Sequence, residues 1–313
     1  MGGLLVIGDT VTDVVAVHHA PVAPGTDTAA DIVVRPGGSG ANTAAWAAHL
    51  GADARILTRV GYDTGPWHVA ELRGAGVRPH VQVDPGHPTA VVIAMVDAAG
   101  ERSMLTNRGA GGRIGPGDWD DGLLDGVAHL HVSGYTLFAE PGLALFRTAV
   151  GAALGRGLRI SVDPASTGPL TGFGVERFLS ETRAASLIFP NRDEALLLTG
   201  EHDPERAASA LSARYGTAVV KLGPDGALLA VDGRVVRRAP AAAARAVDST
   251  GAGDAFAAGF LTALLDGHPA ESALEAGCLA GARAVARLGG RPGGTGGIRA
   301  PAGPGVTEPL CSP

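Results

Sequence analysis

Short runs of consecutive apolar residues alternate along the chain with longer, alanine-rich segments of helical periodicity. The runs LLVIG (4–8), ARILTRVG (54–61), HLHVSG (129–134), LRISVDP (158–164), SLIFPN (186–191) and TAVVKLG (217–223) predict strands. They are apolar nearly throughout, as parallel strands covered on both faces should be. Segments 42–50, 65–74, 141–156, 192–199, 204–215, 254–266 and 270–287 predict helices. That alternation implies right-handed crossovers and an α/β, doubly wound sheet. Two stretches depart from it. Residues 13–36 hold VVAV and DIVVR with no helix between them, and residues 89–105 read as two strands about a turn at Ala98–Arg102. Together they predict a small antiparallel sheet inserted early, either a lid over a site or an extension of the main sheet's edge. From 293 to 313 the chain is dense in glycine and proline without periodicity, which predicts a disordered tail after one domain over 1–292.

Composition narrows the classes. A net charge of −6 argues against a nucleic-acid surface, and no apolar run approaches the ~20 residues of a membrane-spanning helix. The start, MGGLLVIGDT, has no cationic leader region and reads as a first strand. Cys278 and Cys311 form no disulfide framework or metal-ligand spacing, so a cytoplasmic protein is expected. His129 and His131 lie on one face of a strand, but no third metal ligand is near in sequence. The single lysine, Lys221, follows no glycine, so the chain contains no Walker-type phosphate loop. GxGxxG is also absent after the first strand, where GDTVTD stands, which disfavours a dinucleotide-dependent oxidoreductase.

The candidate chemistry lies in AVDSTGAGDAFAAGFLTALL (246–265). Gly251, Ala252, Gly253 and Asp254 precede an apolar helix, so unpaired N–H groups and the positive dipole end gather there. Glycines let an anion approach such backbone closely. Asp254 is then either an N-cap or a base beside a transferring phosphoryl group. The helix terminus should make it a weak base, which phosphoryl transfer tolerates.

DSTGAGDAFAAGF closely resembles the C-terminal motif of the ribokinase-like carbohydrate kinases of the phosphofructokinase-B type, and RPGGSGANTAAWAAHLGA (35–52) resembles their N-terminal motif. The pair is far more specific than either glycine-rich loop alone, and the similarity spans roughly residues 3 to 292. The resemblance implies a three-layer fold with a central, mostly parallel sheet and a small β lid. It implies transfer of the ATP γ-phosphoryl group to a sugar hydroxyl, with Asp254 as base and Gly251, Ala252 and Gly253 holding the developing charge. PNRDEALLLTG (190–200) is similar to the family's Asn-x-x-Glu motif, so Asn191 and Glu194 are expected to help hold Mg²⁺ through water. VVKLGPDGALL (219–229) is similar to its nucleotide-bordering turn, with Lys221, Gly223 and Gly226 near the nucleotide. Asp248 and Thr250 match positions that bind a monovalent cation, K⁺, in many relatives. On the substrate side, Asp13 matches an acid that holds sugar hydroxyls, Gly37 and Gly38 the lid hinge, Asn42 a second sugar contact, and Arg108 a residue near the substrate.

The chain departs from the ribokinase pattern at four positions. Ser39 and Thr43 replace a Lys and a Gln, Val11 stands for an Asn, and Gly134 for a ribose-contacting Glu. Ribose itself is therefore not implied, and a nucleoside kinase of the adenosine or pseudouridine type is the alternative. An aromatic-free lid tilts the reading to a sugar, although Trp46, Trp67 and Tyr135 are available to stack from the main domain. A non-catalytic sugar- or nucleotide-binding regulator is weaker, because Asp254 and its glycines are all present. An exposed lid edge makes a homodimer a reasonable expectation.

Overall fold

A computed structural model describes residues 2–99, 101–293 and 298–299. The first strand, β1 (Gly3–Ile7), leads into a hairpin of β2 (Val11–His18) and β3 (Ala30–Gly37), then α1 (Ser39–His49), β4 (Ala54–Gly61), α2 (Gly65–Gly74) and β5 (Arg78–Asp84). A second hairpin follows, β6 (Ala90–Val96) and β7 (Arg102–Asn107), and then β8 (Val127–Ser133), α3 (Glu140–Gly155) and β9 (Arg159–Asp163). Helices α4 (Thr167–Phe173) and α5 (Val175–Glu181) precede β10 (Leu187–Ile188), α6 (Arg192–Thr199), α7 (Pro204–Tyr215) and β11 (Thr217–Lys221). The chain closes with β12 (Ala227–Val231), β13 (Arg234–Ala239), α8 (Ala252–Leu265), α9 (Ala270–Val285) and the short β14 (Ile298–Arg299).

The central sheet has the order β13-β12-β11-β10-β9-β8-β1-β4-β5. It is parallel except where β12 and β13 run antiparallel at one edge. Helices cover both faces, and β1 shows why its run is apolar throughout. Leu5 and Ile7 enter the core under α3 and α5–α7, while Leu4 and Val6 enter the core under α1, α8 and α9.

Several boundaries differ from the sequence expectation for identifiable reasons. Strand β10 is two residues long, not six, because Pro190 has no N–H to give the ladder and Asn191 turns to cap α6, leaving only an isolated bridge to Lys221. Strand β5, missed in the sequence, is an edge strand that alternates polar residues and tolerates Pro79. Helix α1 starts at Ser39 rather than 42 because Asp9 caps it from outside. The Gly40 N–H donates to Asp9 Oδ1 at 3.2 Å, and the Ala41 N–H donates to the Asp9 carbonyl at 3.1 Å.

The two early hairpins form a separate sheet of order β14-β3-β2-β6-β7. Each hairpin is antiparallel as expected, but the sheet as a whole is mixed, because β2 and β6 pair in parallel. One face holds Asp13, Val15, Val92, Ala94 and Met104 over the main cavity. The paired positions Val14, Val34, Ile93 and Leu105 share the opposite face. Apart from Gly293 and the pair 298–299, the expected tail over 293–313, including Cys311, lies outside the described residues.

Candidate active site

Open parallel sheets place ligands beyond the carboxyl ends of their strands. Here those ends deliver Asp9 after β1, Tyr135 after β8, Asp163 at β9, Asn191 after β10 and Lys221 at β11. All line one cavity of about 930 Å³ between the central sheet and the small sheet. Of the expected residues, Asp13, Gly38, Asn42, Arg108, Asn191, Glu194, Lys221, Gly223, Asp248, Thr250, Gly251, Gly253 and Asp254 line it as well.

Three expected residues stand behind the wall. Gly37 lies beneath Asp13, and a Cβ there would meet Asp13 Oδ2 at 2.0 Å. Gly226 has φ 88°, and its Cβ would meet the Ala239 carbonyl oxygen at 1.9 Å, so a tight hairpin explains this glycine. Ala252 donates its N–H to the Ser249 carbonyl at 3.3 Å.

Helix α8 begins at Ala252, earlier than the sequence suggested, with Gly251 in the left-handed region as N-cap. Asp254 therefore sits in the first turn and does not cap its own helix. Its Oδ1 accepts from Ser39 Oγ at 2.8 Å, and its Oδ2 accepts from Asn42 Nδ2 at 3.0 Å. Burial pushes its carboxyl up to about 7, outweighing the two hydrogen bonds and the Lys221 ammonium, with Asp163 adding in the same direction. The sequence-based expectation of an unusually weak base is corrected: loss of water outweighs the helix terminus.

Two glycines make this corner possible. A Cβ on Gly251 would meet Gly290 Cα at 2.5 Å. A Cβ on Gly253 would lie 3.2 Å from Lys221 Nζ, so the glycine lets the ammonium reach the start of α8. Lys221 donates to Asp163 Oδ2 at 2.6 Å. Burial pulls the ammonium down, but Asp163, Glu194 and Asp254 together hold it above its ordinary value.

Asn191 and Glu194 form a reciprocal cap at the start of α6. Asn191 Oδ1 accepts the Glu194 N–H, and Glu194 Oε2 accepts the Asn191 N–H, each at 2.9 Å. The capping reading of the pair is thus realised, but Glu194 is buried at the cavity wall rather than solvated. Burial, with Asp163 nearby, pushes its carboxyl up to about 7. A buried acid with incompletely compensated charge and hard oxygen donors suits a divalent cation.

At the lid end, burial and the neighbouring Asp9 push Asp13 up to about 7. Asp9 is also raised, chiefly by burial. Arg108 donates to the Tyr135 carbonyl. Asp248 accepts the Thr250 N–H at 3.0 Å, the Thr250 hydroxyl at 2.7 Å and the Gly289 N–H at 2.9 Å.

Asp9, Ser39 in its hydrogen-bonding role, and Asp163 were not picked out from the sequence. Asp163 had one legible signal, an acid closing a buried parallel strand. Gly134 has no space for the glutamate of ribokinases, since a Cβ there would meet the Asp163 and Pro164 carbonyl oxygens at 2.7 Å. Of the three candidate stacking rings, only Tyr135 lines the cavity; Trp46 is buried and donates to the Gly290 carbonyl at 2.9 Å. His129 and His131 both bond Ser161 Oγ, at 2.7 and 2.8 Å, inside the core. Among the described residues no group of three His, Cys, Asp or Glu is arranged to hold a metal, and no helix is long and apolar enough to cross a membrane.

Residues 1–294 match the family described as pfkB family carbohydrate kinase. The chain is 34% identical over 259 residues to the ATP-dependent ribose-1-phosphate kinase of Halopiger xanaduensis, covering 82% of each chain. It is 31% identical over 256 residues to the 2-dehydro-3-deoxygluconokinase of Thermoproteus tenax, covering 79% of this chain and 78% of that one. The crystal structure of adenosine kinase from Sinorhizobium meliloti superposes with a TM-score of 0.83 at 28% identity, covering 93% of this chain and 96% of that one.

Proposed function

The chain belongs to the pfkB family of carbohydrate kinases and is an ATP-dependent kinase of a sugar or nucleoside, and from that premise we propose how its cavity works. The acceptor lies between Asp13 on the lid and Asp254 on α8, and Asp254 takes the proton of the attacking hydroxyl. The observation that carries this reading is the orientation of Asp254. Its carboxylate turns away from its own helix toward α1, at the cavity wall, where loss of water gives it the proton affinity of a base near neutrality.

The triphosphate lies against the start of α8, where the N–H groups of Gly251 and Gly253 and the Lys221 ammonium supply positive charge. Asn191 and Glu194 would hold Mg²⁺, and the ion would supply neutralisation of the phosphate charge. Asp13 and Asn42 orient the acceptor hydroxyls, and Arg108 bounds the same end of the cavity. The small sheet closes about Gly37 and Gly38 and excludes water that would compete as acceptor. Gly38, at φ 97° and packed on the Asp9 carbonyl, is a backbone position that only glycine occupies without strain. A monovalent cation would be held at the loop of Asp248 and Thr250, where it would add positive charge near the start of α8.

A neutral sugar is the first reading, because Asp9 and Asp13 offer paired acceptors for hydroxyls. A nucleoside is the second, favoured by the aliphatic lid face of Val15, Val92, Ala94 and Met104 opposite Tyr135 and Phe138. The mostly apolar outer face of the lid supports a homodimer, with Ile32 and Leu105 about half exposed there.

The test is an ADP-release screen with MgATP over ribose, ribose-1-phosphate, fructose, 2-dehydro-3-deoxygluconate, adenosine and cytidine. Asp254→Asn is expected to lose at least about 100-fold in kcat on the active acceptor while keeping nucleotide affinity. Equal turnover by mutant and wild type refutes the role of Asp254.

A further inference from the structure

Ser39 is the first residue of α1 and follows the glycine pair at which the lid joins the main domain. Its hydroxyl reaches across to α8 and donates to Asp254 Oδ1 at 2.8 Å. The surroundings fix this contact rather than leaving it to chance. The start of α1 is clamped on β1, since Gly8 and Gly40 meet so closely that a Cβ on either would lie within 2.6 Å of the other's Cα. Asp9 caps the same turn. Gly290 wedges the other side, touching the Asn42 amide and the Gly251 backbone while accepting from Trp46. The carboxylate of Asp254 is thus held by two side chains of α1, one on each oxygen.

Given the reading of Asp254 as base, we propose that Ser39 is a positioning residue for it: the hydroxyl orients the carboxylate and sets how readily it takes a proton. The charged and titratable groups around Asp254 are Asp163 from β9, Lys221 from β11 and the Tyr135 phenol after β8. Asp163 opposes ionisation and Lys221 favours it. Tyr135 stays neutral, its phenol pushed up to about 12 by burial and by the acids Asp9, Asp254 and Asp163. The Ser39 hydroxyl is a neutral donor, so it favours the ionised carboxylate without adding charge to the cavity. Lysine at this position, as in the ribokinase pattern, would place a cation in the same corner.

The experiment compares wild type, Ser39→Ala, Ser39→Thr and Asp254→Asn as full-length protein. Its kinetic arm uses MgATP and the acceptor of highest turnover among those of the screen. Removing the hydroxyl withdraws a donor from the carboxylate, so Ser39→Ala is expected to move the acidic limb of the kcat–pH profile upward by about one pH unit. On that limb kcat falls about tenfold, while KM for the acceptor changes less than about twofold. Ser39→Thr restores the wild-type limb. In the Asp254→Asn background, Ser39→Ala has no further effect on kcat.

A second arm needs no substrate. The melting-temperature gap between wild type and Asp254→Asn grows with pH until the folded carboxyl ionises, and the pH at which it levels off should rise by a similar margin once Ser39 is alanine in both proteins. An unmoved limb, an effect confined to KM, or a full additional loss in the Asp254→Asn background each overturns the proposal. If Asp254→Asn itself keeps wild-type turnover, the base reading falls and this inference with it. If Asp254→Asn is inactive while the Ser39→Ala limb stays in place, only this inference falls.

Discussion

At the scale of single residues, the cavity spends stability on its acids. Asp13 sits on the lid with its ionised form disfavoured by burial and by Asp9, so its carboxyl is raised from 3.8 to about 7. A raised acid contributes stability fully below its unfolded value, and the contribution is lost as pH rises through the folded value. Asp13→Asn is therefore expected to melt higher than wild type at about pH 8, with the gap narrowing as pH falls below about 7 and closing only at about pH 4, where the unfolded carboxyl is protonated as well. Differential scanning fluorimetry across that range checks it, and a gap that widens toward acid contradicts the burial argument. The motif letters that name Asp13, Asn42, Asn191 and Asp254 were legible in the sequence because each sits in a short, distinctive pattern. The hydrogen bonds of Ser39 and Asn42 to Asp254 were not, since they join residues 215 and 212 positions apart.

At the scale of elements, the placement of α1 decides the site. This helix carries Ser39 and Asn42, and its first turn lies against the end of β1 with backbone touching backbone at Gly8 and Gly40. A methyl group at Gly8 would meet Gly40 Cα at 2.6 Å and cannot be relieved by a side-chain rotation. Gly8→Ala is expected to cost about 2 kcal/mol of stability by overpacking. It should also lower kcat, because the turn that holds Asp254 must shift. Urea unfolding together with steady-state kinetics tests both, and an unchanged kcat would detach the helix position from catalysis. Most central strands and seven helices were readable from hydrophobic pattern, whereas α4, α5, β5 and β13 were not. Two of these are seven-residue helices, too short for periodicity to accumulate. The other two are the edge strands of the central sheet, with polar residues on exposed positions.

At the scale of the whole molecule, the lid is one sheet with two largely apolar faces. The inner face covers the cavity, and the outer face leaves Ile32 and Leu105 about half exposed. The proposed dimer buries that outer face against a second copy. Leu105→Glu is expected to shift the protein from dimer to monomer in light-scattering chromatography while its fold is retained. A wild-type monomer at every concentration removes the dimer. The proposed lid closure belongs to this scale as well: closing about Gly37 and Gly38 would move Asp13 relative to Asp254, which stays on the main domain.

The sequence by itself determined the layered α/β architecture, the inserted hairpins and the motif residues of a kinase, because hydrophobic period and glycine-rich motifs are local properties. Only the tertiary structure decided which of those residues meet and what their protons do. Burial raised Asp13, Glu194 and Asp254 to about 7, and the Asp163–Pro164 backbone closed the space beside Gly134. Proton affinity and free volume depend on everything packed around a group, and most of those neighbours come from distant parts of the chain.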